Sequence, residues 1–127
     1  MTPLLAELGG RQTVEALLAG FYARVLADVR LAGFFRGASI PRLHQHQVDF
    51  FCAVLGGADI YRGRNMVAAH ARLDLGDGDF DAFAEHLMAA LVSGGVPEAH
   101  RLRILGMVSP LRSQIVTRRL ARATSSR

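Results

Sequence analysis

The sequence has no lysine: all 15 basic residues are arginine, set against 11 acids. Four of those arginines (Arg118, Arg119, Arg122 and Arg127) fall in the last ten residues, which leaves residues 1–117 balanced at 11 of each sign. The positive excess therefore sits in a tail, residues 118–127, read as a frayed and solvated end rather than a nucleic-acid contact. A single cysteine, Cys52, excludes an intrachain disulfide framework and agrees with a reducing, cytoplasmic setting. Half the residues are apolar, yet no run approaches the roughly 18 apolar residues that cross a bilayer. The first residues also lack the basic segment and apolar stretch of a secretory leader. A P-loop, a dinucleotide fingerprint and a Gly-x-Ser-x-Gly elbow are all missing, and the histidines lack the paired spacing of a zinc site. What is left is one soluble domain over residues 1–117 whose chemistry must come from few polar groups.

The apolar residues that are present repeat at helical spacing, and nowhere do they alternate as in a strand. Val14, Leu17, Leu18, Phe21, Tyr22, Val25 and Leu26 form one stripe, predicting a helix over 13–28 with Thr13 as its N-cap. A short helix opened by Thr2-Pro3 precedes it and is broken by Gly9-Gly10. Leu31 to Phe35 allows only a turn or two. Ser39 caps the next helix, about Pro41 to Leu55, which ends at Gly56-Gly57. Its stripe runs Leu43, His46/Gln47, Phe50, Phe51, Val54. Asn65 is placed as the cap of a short helix over Met66–Arg72, followed by an Asp/Gly-rich loop. Two further helices cover about 79–93, stopping at Gly94-Gly95, and from Pro97 onward, where Pro110 must kink or break the helix. The class is all-α.

Tyr22, His46, Gln47 and His70 are polar residues on or beside these apolar stripes. Burying one without a partner costs about 1–3 kcal/mol, so they either satisfy one another or surround something. Singly, each has an ordinary explanation: an amphipathic core aromatic, an edge glutamine, a surface histidine.

Taken in order, Phe21-Tyr22, Phe34-Phe35, Leu43…Gln47…Phe50-Phe51, Gly56-Gly57, Tyr61-x-Gly63, Met66-x-x-x-His70, Phe80, Phe83 and Leu87, then Gly95-Val96-Pro97 and Ser109-Pro110-Leu111, resemble the truncated haemoglobins, nearest to their group I or N type. The resemblance spans roughly residues 3–116. It implies a globin-like two-over-two helical sandwich around one non-covalent haem b (protohaem IX) per chain. It makes His70 the proximal iron ligand and puts Tyr22 and Gln47 over the bound gas, Leu43 at the pocket mouth and Phe35 flat on the haem. Phe50, Met66, Phe80, Phe83, Leu87, Ile104 and Val108 would line the rest. Tyr61 and Arg72, then Arg42 and His44, are the propionate candidates. His46 matches a position where some cyanobacterial and algal members carry a second, distal iron ligand. Some of those members also link haem covalently through a histidine in the last helix; the matching residue here is Arg112, so no such link is expected.

The polarity of the distal pocket decides how a haem protein treats its gas. A ligand that draws electron density from the metal accepts a stronger hydrogen bond than a neutral one. A phenol and a carboxamide aimed at it therefore imply slow oxygen release. The resemblance thus points to a protein of diatomic gases (O2, NO, CO) serving nitric oxide dioxygenation with a reductase or small reductant. The alternative is a haem protein that stores or senses oxygen, or transfers electrons, without turnover. A monomer or weak dimer is expected.

Overall fold

Pro3 and a glycine pair make the first corner. In the computed structural model, which describes residues 3–57 and 75–116, Pro3 precedes helix α1 (Leu4–Leu8), and Gly9 and Gly10 follow with φ of 112° and 84°. Both angles lie in the left-handed region, where a Cβ costs energy. The chain reverses in these two residues and starts α2 (Arg11–Leu26) at once. The helix therefore begins two residues before Thr13, with Gly10 and not Thr13 at the N-cap. The expected Thr13 cap is wrong because the glycine turn already delivers helical geometry at Arg11.

A 3-10 turn covers Ala32–Phe35. Helix α3 (Ile40–Leu55) starts as expected at Ser39, whose hydroxyl accepts from the Arg42 N–H, with Pro41 in the first turn. Helix α4 (Asp77–Ser93) begins slightly earlier than its apolar stripe suggests, because the Asp79 carboxylate accepts the Gly76 N–H at 2.9 Å. Helix α5 (Glu98–Val108) follows Pro97. Pro110 ends it: the chain turns through a 3-10 segment, Ser109–Leu111, into the short α6 (Arg112–Ile115). The expected short helix over Met66–Arg72 and the tail 118–127 lie outside the described residues.

Helix α2 is central, packed on α3 in its own layer and on α4 in the other, while α4 pairs with α5. The α2–α4 crossing is close at Gly94, where a Cβ would fall 2.4 Å from Leu17 Cδ2. The main core joins Leu4, Leu17, Leu18, Val48, Leu55, Leu87, Leu91 and Ile104. Val48 is fully buried, although the α3 stripe passes it by, because α3 has apolar neighbours on two sides. Among the described residues no helix is long and apolar enough to cross a membrane.

A second, smaller core of Val25, Leu31 and Ala82 is bordered by Phe21, Phe34, Phe35 and Phe83. Asp28 ties its edges together. Its carboxylate accepts from the Arg30 guanidinium (2.7 and 3.0 Å), from the Arg30 backbone N–H (2.9 Å) and from His86 Nε2 of α4 (2.7 Å). The Arg30 bonds, then the His86 bond, hold the Asp28 carboxyl far below the ordinary carboxylate range. A depressed folded-state pKa contributes stability above the unfolded value, near 4, and loses it as pH falls through the folded value. Thermal melts across pH 2–7 should therefore show Asp28→Asn less stable than the parent at neutral pH, with the two curves converging in acid. Parallel curves would remove Asp28 from the acid response.

Candidate active site

Between the two layers lies a cleft of about 140 Å³. Six of the chain's seven phenylalanines line it: Phe21, Phe35, Phe50, Phe51, Phe80 and Phe83. Phe34, the seventh, packs behind Phe83 with centroids 6.4 Å apart. Leu75, Ala84, Leu87, Val108 and Leu111 complete the apolar wall. Tyr22 and Gln47 alone among the described lining residues carry polar side chains, and none is charged.

Tyr22 reaches the cleft because α2 turns one continuous stripe inward. It is 5% exposed and fixed by rings on several sides: Phe21 at 5.2 Å, Phe35 at 6.0 Å and His44 at 6.1 Å, all near perpendicular. Edge-to-face pairs of this kind have a preferred geometry as well as buried area. Burial pushes the Tyr22 phenol well above its usual range, so at neutral pH the hydroxyl keeps its proton and remains a donor. Gln47, half-buried, comes from α3 across the cleft. Its carboxamide both donates and accepts.

Of the residues singled out from the sequence, Tyr22, Phe35, Gln47, Phe50, Phe80, Phe83, Leu87 and Val108 meet in this wall. Leu43 is half-buried but does not line it, and His46 is exposed on the outer side of α3. Ile104 is buried in the main core beside Leu87 and Leu91 instead; on α5 the apolar positions divide between core and cleft, and periodicity cannot separate two apolar environments. His44 Nε2 donates to the Glu15 carbonyl oxygen of α2 at 3.1 Å. Tyr61, Met66, His70 and Arg72 lie outside the described residues. Sequence reasoning missed Phe21, Phe51, Leu75, Ala84 and Leu111 as lining residues. Phe21 and Phe51 were in recognised stripes, and the Pro110 break, which turns Leu111 inward, was the signal for the last.

Arg112 braces the wall from behind. Its guanidinium lies 4.6 Å from the Phe80 ring centroid, donates to Asp77 at 3.0 Å and also pairs with Asp81. A cation over a ring face and two carboxylates from the first turns of α4 dock α6 against the helix that supplies Phe80 and Phe83.

A flat, largely apolar macrocycle fits such a wall: wide phenylalanine faces for its plane, and a phenol and a carboxamide where a small ligand would need donors. Known proteins agree with that fit. The family model of bacterial-like globins matches residues 4–117. The chain is 39% identical to a group 1 truncated haemoglobin of Mycolicibacterium paratuberculosis over 118 residues, 93% of this chain and 87% of that one. It is 40% identical over 102 residues to the group 1 truncated haemoglobin of Synechocystis sp., covering 77% and 82%. In three dimensions it resembles the 2/2 haemoglobin of Synechococcus sp. in the cyanomet state with covalently attached haem. That match has a TM-score of 0.84 and 34% identity, over 92% of this chain and 100% of the other. The truncated haemoglobin of Tetrahymena pyriformis in its Fe(III) form follows with a TM-score of 0.81 and 32% identity, over 91% and 98%.

Proposed function

The chain belongs to the bacterial-like globins as a group 1 truncated haemoglobin, a family that binds gases through haem, and from that premise we propose that it consumes nitric oxide. The phenylalanine-walled cleft would hold one non-covalent haem b, with His70 as its proximal ligand. Bound there, haem would supply an iron able to take an imidazole and a diatomic gas.

The observation that supports this reading is the pair Tyr22 and Gln47, the only polar side chains among the described lining residues. The Tyr22 hydroxyl, protonated by burial, donates to a small ligand in the cleft. Gln47 donates to the same ligand or accepts from Tyr22 and holds its hydroxyl in place. Two donors in an apolar surround are worth more than in water and retain oxygen long enough to meet nitric oxide. The phenylalanines give the ligand an apolar surround. In the overall reaction NO and O2 take up one electron from a separate reductant and leave as nitrate.

His46 precedes Gln47 on α3 and is exposed, so ligating iron would require its side chain or α3 to move toward the cleft.

Stopped-flow mixing of the oxygen-loaded protein with nitric oxide, with nitrate quantified, tests the proposal. Nitrate should form much faster than oxygen dissociates, and repeatedly when a reductant is present. Nitrate formed only at the pace of oxygen release would leave a gas-storing or sensing protein instead.

A further inference from the structure

We propose that His44 is a positioning residue for Tyr22: its imidazole, pinned to the α2 backbone, sets the plane in which the Tyr22 hydroxyl enters the cleft. This rests on the reading above in which Tyr22 donates to the gas.

Two independent contacts define the arrangement. His44 Nε2 lies 3.1 Å from the Glu15 carbonyl oxygen. A carbonyl only accepts, so Nε2 carries the hydrogen and the imidazole's orientation is fixed. The same ring meets the Tyr22 ring at 6.1 Å between centroids and 82° between planes. Helix geometry explains how one side chain reaches both. Glu15 and Tyr22 are seven residues apart on one face of α2; the Glu15 carbonyl points toward the helix C-terminus, while the Tyr22 side chain leans toward the N-terminus. They approach each other, and His44, from the second turn of α3, bridges them.

The bridge matters because of where the other rings that hold Tyr22 come from. Phe21 and Phe35 also meet its ring, but Phe21 is its neighbour on the same helix and moves with α2. Phe35 belongs to the 3-10 turn that itself leans on Phe83. Among the described ring contacts of Tyr22, the one with His44 is the one that reaches α3, the helix that carries Gln47. It therefore fixes the phenol relative to the carboxamide across the cleft. Without it the phenol loses this tie to α3, and a less well aligned donor makes a weaker bond.

The C–O stretching band of the carbon monoxide complex reads hydrogen-bond donation to the gas, which a purely structural contact would not move. Tyr22→Phe, as the reference, should raise that frequency. His44→Leu, which removes both contacts, should shift the band toward the Tyr22→Phe position and speed oxygen dissociation about three- to tenfold. His44→Gln keeps a donor for the Glu15 carbonyl, and His44→Phe keeps the ring; each should lie between wild type and His44→Leu. If Tyr22→Phe moves the band while both His44→Leu and His44→Gln leave it at the wild-type position, His44 does not position Tyr22, and the role of Tyr22 stands. If Tyr22→Phe itself leaves the band unchanged, the gas-facing role of Tyr22 fails and the positioning role falls with it.

Discussion

Replacing Tyr22 by phenylalanine should accelerate oxygen release roughly 10- to 150-fold, the range expected for losing a hydrogen bond worth about 1.5–3 kcal/mol to an acceptor carrying charge. The substitution is clean because the hydroxyl is the only thing removed. The ring stays held by Phe21, Phe35 and His44. Burial alone accounts for the raised pKa of the phenol, so taking the hydroxyl away also removes a desolvated group, and the fold should lose little. Oxygen dissociation followed by ligand replacement in a stopped-flow instrument gives the number directly. Carbon monoxide, which accepts hydrogen bonds weakly, should leave the variant at nearly its normal rate, and this contrast separates a lost donor from a generally looser cleft. Equal acceleration of both gases would mean that Tyr22 acts only as packing.

Haem loading should raise the melting temperature of the haem-free protein by roughly 10–20 °C. A ligand present at about a thousand times its dissociation constant stabilises by about 4 kcal/mol. In a domain of this size each kcal/mol moves the midpoint by about 3–5 °C. The cleft explains why the effect should be this large. Six phenylalanines and their aliphatic neighbours face a space open on one side, so the empty protein leaves apolar surface in contact with water that a flat ligand would cover. Differential scanning calorimetry of the haem-free chain, before and after one equivalent of protohaem, measures the shift. A rise of less than about 2 °C at saturation would mean that the cleft is not the haem site.

Much of this arrangement was legible in the residues because its strongest signals are local. Ser39 with Pro41, the Gly9-Gly10 pair and Pro110 each act on the backbone within a few bonds, and each does in the structure what its chemistry demands. The stripes of α2 and α3 likewise placed Tyr22, Gln47 and Phe50 inside. What escaped were distinctions that need a third dimension. Ile104 and Val108 are four residues apart on α5, and both face apolar partners. Both pack with the main core and only Val108 also lines the cleft, and hydrophobicity is the same signal for both. Val48 was passed over because a helix packed on two sides has two apolar faces, and the phenylalanine-rich one is louder. Nothing in the sequence around His44 reveals that the Glu15 carbonyl, 29 positions earlier, lies within hydrogen-bonding distance. Thr13 lost the cap to Gly10 because a turn conformation, and not a side-chain oxygen, decided where α2 begins.

The brace that Arg112 forms with Phe80, Asp77 and Asp81 also orders events in time. Synthesis runs from the N-terminus, and Leu111 is the last of the described lining residues to emerge, immediately ahead of the arginine that fastens its segment to α4. Before that point a nascent chain already holds Tyr22, Gln47 and all six lining phenylalanines but lacks Leu111 and its fastening. In the order of synthesis, the segment that closes this wall and the cation that fastens it are thus the last described parts of the site to be made.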